Sequence, residues 1–162
     1  TGGFKADAPE SYLAEFGAGG GLTNARGLAR LYAPLAREGT SGDKQFMSPD
    51  QVQVMAETAV RGGIDRTLMM PTHFSAGFMK TMNNLDRPGG ALESLILGPK
   101  AFGHAGAGGS IGFAEPELGL SFGYVMNQMG AGILLNERGQ TLVDALYQSQ
   151  GYRHSRLGDY RR

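Results

Sequence analysis

Residues 101–127, AFGHAGAGGSIGFAEPELGLSFGYVMN, restrict the possible folds more than any other stretch of this chain. Between Phe102 and Gly109 four glycines and two alanines surround a single histidine, His104. Side chains this small leave backbone uncovered, so a substrate or another main chain can lie against it. Ile111 and Phe113 then alternate with Ser110, Gly112 and Ala114, the two-residue period of a half-buried strand. Glu115-Pro116-Glu117 supplies a turn, with proline presetting the bend and both glutamates expected in solvent. Beyond it Leu120, Phe122, Tyr124 and Met126 alternate with Ser121, Gly123, Val125 and Asn127, so the chain returns antiparallel with one apolar face. The stretch predicts a three-strand meander with His104 near its first strand.

Helices flank it. After an irregular entry over residues 1–21, with Tyr12, Leu13 and Phe16 as expected core anchors, Thr23 or Asn24 can cap a helix. Its apolar positions are Ala25, Leu28, Leu31, Tyr32 and Leu35, and Pro34 should kink it or sit near its end. A polar loop over 38–44 precedes a second helix, started by Ser48 and Pro49 with Gln51 at the capping-box position. That helix should bury Val52, Met55, Ala56 and Ala59 and close at Gly62-Gly63. Residues 64–97 show no period beyond a possible strand around 74–79 and read as loops over the sheet. A last helix over 139–150 carries Leu142, Val143, Leu146 and Tyr147 at helical spacing. The arginine-rich end, 152–162, offers no apolar anchor and should fray. These elements predict an α+β fold, an antiparallel sheet flanked by helices, in one domain over 1–150 with a flexible basic tail over 151–162. Three or four strands are few for 27 glycines, so further strands are expected from elsewhere.

The 162 residues can bury a substantial core. Fifteen basic residues balance fifteen acidic ones, so no global field would gather nucleic acid. No apolar run reaches the roughly 20 residues of a membrane span. The absence of cysteine excludes disulfides and thiol catalysis but leaves the compartment open. Three dispersed histidines make no metal motif.

Candidate residues compete with plainer readings. Ser41-Gly42-Asp43-Lys44 spells S-x-x-K, but serine and lysine must stand one turn apart on a buried helix to share a proton, and this is a polar turn. His73 and His154 have no partner at ligand spacing and read as surface or loop residues. Residues 17–21 precede a helix like a phosphate cradle, yet no Gly-Lys-Ser/Thr follows, so a structural turn is expected. The methionines should be mostly core, although Met69, Met70, Met79 and Met82 could line an apolar pocket. Arg153, Arg156, Arg161 and Arg162 are expected in solvent. Thr1 would be a nucleophile only if autoproteolysis freed its amine.

Taken in order, GAGGGLTNARGLARLYAPLA, FMSPDQVQVM, FGHAGAGGSIGFAEPELGLSFGYVMNQM and the closing helix resemble the C-terminal part of the serine β-lactamase-like superfamily. The branch is that of class C β-lactamases, D-alanyl-D-alanine peptidases and related esterases. The resemblance implies acyl transfer from an ester, possibly a β-lactam, to a serine in S-x-x-K, assisted by Y-x-N and by a K-T-G strand. His104-Ala105-Gly106 stands at the third motif, and histidine in place of lysine points to esters over a penicillin carboxylate. By the same resemblance the Ala107 amide would be an oxyanion donor and His104 would contact substrate. Gly108, Gly109 and Ser110 would shape the wall. No cofactor or metal is implied. No Tyr-x-Asn occurs here, and the family's serine and lysine lie further N-terminal, so the chain is expected to work with an N-terminal part of the same protein. The alternative is a silent scaffold used for binding or assembly.

Overall fold

The computed structural model describes residues 8–17, 19–154 and 158–162. Thr1, Ala18 and Arg156 lie outside them. One helical turn, α1 (Pro9–Tyr12), opens the described chain. Tyr12, Leu13 and Phe16 are exposed and do not anchor to the core as expected.

Helix α2 (Ala25–Ala36) starts where Asn24 Oδ1 accepts from Gly27 N at 2.9 Å. Pro34 sits inside its last turn, and the helix ends two residues later with Arg37 N and Gly39 N both donating to Pro34 O. Tyr32, Leu35 and Ala36 are buried, whereas Leu31 projects into solvent, one step around the helix from that stripe. The S-x-x-K tetrapeptide forms a hairpin of β1 (Thr40–Ser41) and β2 (Lys44–Gln45), turned by Gly42 at φ +59°. Its serine and lysine are cross-strand partners in a surface turn, without the buried helix the dyad needs.

Helix α3 (Pro49–Ala56) begins on the expected capping box: Gln51 N donates to Ser48 Oγ, and Ser48 N donates to Gln51 Oε1. It stops at Ala56, short of Ala59, because the next residues form a strand, β3 (Thr58–Ile64). Thr58, Val60 and Ile64 are β-branched, and Gly62 and Gly63 take φ of +83° and +76° in an irregular pairing with β4 (Pro71–Ser75). Residues 64–97 thus contain a true strand. Neither residue 59 nor the rest of β3 is buried.

The meander follows as β5 (Phe102–Ala105), β6 (Ile111–Glu115) and β7 (Leu120–Tyr124), all antiparallel. Met79 bridges Phe74 on one side and Gly103 on the other, which joins β3–β4 to the meander. Some of the strands expected from elsewhere therefore come from the stretch read as loops. All five residues of β6 are buried, against the half-buried expectation. The cause is a second cover. On one side Gly112 and Ala114 face α2; on the other Ile111, Phe113 and Glu115 face α4 (Glu137–Ser149).

Helix α4 starts two residues earlier than expected, capped by Asn136. Val143 and Tyr147 are buried, and Leu142 is exposed. Two sites read as solvated are interior. Glu115 is 1% exposed because it ends β6 rather than opening the turn; its Oε2 accepts from Tyr147 Oη at 2.6 Å. His73, on β4, is buried with Nδ1–H donating to Thr81 O and Nε2 accepting from Thr58 Oγ1.

The terminal segment also departs from the expectation of a tail without anchors. β8 (Arg153–His154) pairs with β9 (Tyr160–Arg161), and Tyr152 and Tyr160 are buried against Tyr147. The Tyr147 and Tyr160 rings stack at 4.0 Å, and Arg162 lies over Tyr152 at 4.9 Å. Sequence reading missed this because both anchors are aromatic residues spaced among arginines.

Candidate functional site

The cross-strand register puts His104 opposite Gly112. A Cβ at Gly112 would come within 2.4 Å of the Tyr32 ring, so α2 presses directly on that side of the sheet. His104 consequently shares the α2 face, at the end of β5, and its side chain is exposed. It lines a cavity of about 640 Å³ together with Ala105, Gly106, Ala107 and Ser110. Five of the seven residues expected at the site are therefore together.

Gly108 and Gly109 are not in that lining. They are buried behind it and shape the turn instead of the wall. Gly109 N donates to Gly106 O at 3.0 Å, closing a four-residue turn whose third residue, Gly108, has φ +86°. Gly106 O belongs to the same peptide unit as the Ala107 amide. Fixing that carbonyl on one side aims the Ala107 N–H to the other, since the two point oppositely across a trans peptide. The Ala107 N–H donates to no acceptor among the described residues.

His104 Nδ1 lies 2.7 Å from Ala105 O. A carbonyl only accepts, so Nδ1 carries a proton and donates it there. Among the described residues no Asp, Glu, Lys or Arg lines the cavity. Burial pushes the Tyr32 phenol up from its ordinary value, so Tyr32 is neutral. The wall offers one imidazole, two hydroxyls (Ser110 and Tyr32), one open amide and apolar surface.

Several lining residues escaped sequence reading: Leu28 and Tyr32 from α2, Leu68, and Ile133 and Leu134 from the loop before α4. Gly17, Gly19 and Gly21 reach the cavity too, although they were read as a turn only. Of the four candidate methionines only Met79 lines it; Met70 and Met82 are core, and Met69 is exposed. His73 lines a separate cavity, about 630 Å³, with Arg61 and Asn84. Its ring nitrogens are both engaged, and no group of three or more metal-ligating side chains occurs among the described residues.

An antiparallel sheet covered by helices, with a His-x-Gly strand end opening on a cleft, has the architecture of the β-lactamase and penicillin-binding-protein-like fold. The chain belongs to the Beta-lactamase family, whose model matches residues 2–145. It is 31% identical over 124 residues to the Esterase/beta-lactamase LipL of Mycobacterium tuberculosis (strain ATCC 25618 / H37Rv), covering 76% of this chain and 26% of that protein. Among solved structures, a family VIII carboxylesterase superposes with a TM-score of 0.65 at 34% identity, over 77% of this chain and 31% of the other. A penicillin-binding protein homolog from Caulobacter crescentus gives 0.63 at 34% identity, with the same coverages. The chain thus spans about a quarter to a third of the length of these relatives.

Proposed function

We propose that this chain forms the oxyanion side of a serine hydrolase that cleaves carboxylic esters through an acyl-enzyme. The attacking serine and its lysine come from the N-terminal part of the same protein. The observation that carries this reading is the Ala107 amide: an N–H with no acceptor among the described residues, on a peptide held from behind, in a cleft shared with His104. When a serine oxygen adds to the ester carbonyl, charge moves onto the carbonyl oxygen, and a fixed donor is worth most at that moment. Collapse of the adduct breaks the bond to the alcohol, which leaves with a proton. Water then adds to the acyl-serine, releases the acid and restores the hydroxyl.

The wall supports esters as the substrate class. A penicillin carboxylate entering here would meet no lysine or arginine among the described residues that line the cleft. An uncharged ester loses nothing by that. The names of the relatives, among them a family VIII carboxylesterase and an esterase/beta-lactamase, agree with this assignment.

The test is to join or mix the chain with its N-terminal complement and assay a short-chain nitrophenyl ester, with a fluorophosphonate to label the serine. Hydrolysis with labelling outside residues 1–162 is expected. Labelling inside them, at Ser41 or Thr1 for instance, overturns the assignment, and a folded but inert, unlabelled protein would mean that the scaffold serves binding instead.

A further inference from the structure

Asn136 was not singled out by any motif, yet it is one of few buried polar side chains and it touches the turn that carries the Ala107 amide. Its Oδ1 accepts from Gly139 N at 3.4 Å and caps α4, while its Nδ2 donates to Gly108 O at 2.9 Å. One side chain therefore ties a helix end to the oxyanion turn. The fit is close: a Cβ on Gly109 would stand 2.3 Å from Asn136 Nδ2, and one on Gly130 would stand 2.4 Å from it.

The backbone of the loop before α4 makes the same connection. Gly108 N donates to Gly132 O at 3.1 Å, and Gly130 N donates to Gly108 O at 2.9 Å. Gly108 is thus held on both its N–H and its C=O by the loop that also brings Ile133 and Leu134 to the cavity. Gly139 packs against the turn as well, since a Cβ there would lie 3.0 Å from Gly109 O.

We propose that Asn136 is a positioning residue for the reaction: through Gly108 O it sets the orientation of the Gly106-Ala107 peptide and so of the Ala107 N–H. This rests on the oxyanion role proposed for Ala107. A cap alone needs only an oxygen, which serine or aspartate supplies equally well. The link to the turn needs an amide nitrogen at that distance, which among capping residues only asparagine provides.

Asn136→Asp and Asn136→Ser separate the two tasks. Both keep an oxygen for Gly139 N; the first presents an acceptor to Gly108 O, and the second cannot reach it. In the protein joined to its N-terminal part, both should lower kcat on a nitrophenyl ester about tenfold to a hundredfold, with KM within about twofold. A cap serving only stability would move Tm and leave kcat alone. In amide-resolved NMR of the chain, Ala107, Gly108 and Gly109 should shift and exchange faster in both variants while Gly139 stays protected. Unchanged amides at 107–109, or kcat within twofold of wild type in both variants, overturns the proposal. If the wild-type protein hydrolyses no ester, the function assigned to Ala107 fails, and the amide readout still decides whether Asn136 orients the turn.

Discussion

At the level of single residues, the sharpest constraint is at Gly109. Its φ of +107° is a conformation that side chains avoid, and the space a methyl would take is filled by Asn136. Gly109→Ala should cost about 2 kcal/mol or more in urea unfolding and reduce turnover together with it. His104 is the basic side chain in the cleft lining among the described residues. Replacing it by lysine should improve KM for a penicillin relative to a neutral ester, and a ratio unchanged from wild type would count against the cleft-wall account of selectivity. Glu115 gives a pH signature. Burial, acting against the Tyr147 hydrogen bond and weak attraction from Lys80, raises its carboxyl above the ordinary glutamate value. The folded state then binds a proton more tightly than the unfolded one, so stability falls as pH rises from the ordinary glutamate pKa through the raised one. Glu115→Gln keeps an acceptor for Tyr147 and has no such titration. The Tm difference between variant and wild type should therefore grow in the variant's favour as pH rises through that window.

Between elements, the sheet's glycines matter more than its apolar residues. Gly123 on β7 would place a Cβ 2.5 Å from Ala25 O and 2.7 Å from Ala29 N, both backbone atoms of α2 that cannot turn aside. Gly112 on β6 meets mainly the Tyr32 and Leu28 side chains. Gly123→Ala should thus destabilise more than Gly112→Ala, roughly 2–3 kcal/mol against about 1–2, in chemical denaturation. Equal costs would mean that α2 is not seated as described. The difference was not readable beforehand, because alternation shows which residues share a face and not how near the covering helix comes. The capping box of α3 and the Asn24 cap of α2 were readable, since each is settled within four residues of chain.

Across the whole molecule, the last residues close the core that the meander begins. Tyr147 touches Phe113, Tyr152 and Tyr160, so the chain end completes a cluster seated on β6. Tyr160 Oη also bonds Asp144 and receives Gln140 Nε2. Tyr160→Ala should cost about 3–4 kcal/mol, read as a fall in Tm. A fraying tail, as composition suggested, would have let this variant pass unnoticed.

Local chemistry was enough for the sequence alone to determine the meander and the starts of α2 and α3, since periodicity, caps and turn residues act over a few neighbours, and the order of its motifs was enough for the resemblance to the family. Tertiary structure decided which residues those elements bring together. It buried Glu115 and His73, recruited Leu28, Tyr32 and Ile133 to the cavity, and set Asn136 behind Gly108. Each of these depends on contacts between residues far apart in the chain, whose geometry is fixed by close packing and satisfied hydrogen bonds rather than by any local pattern.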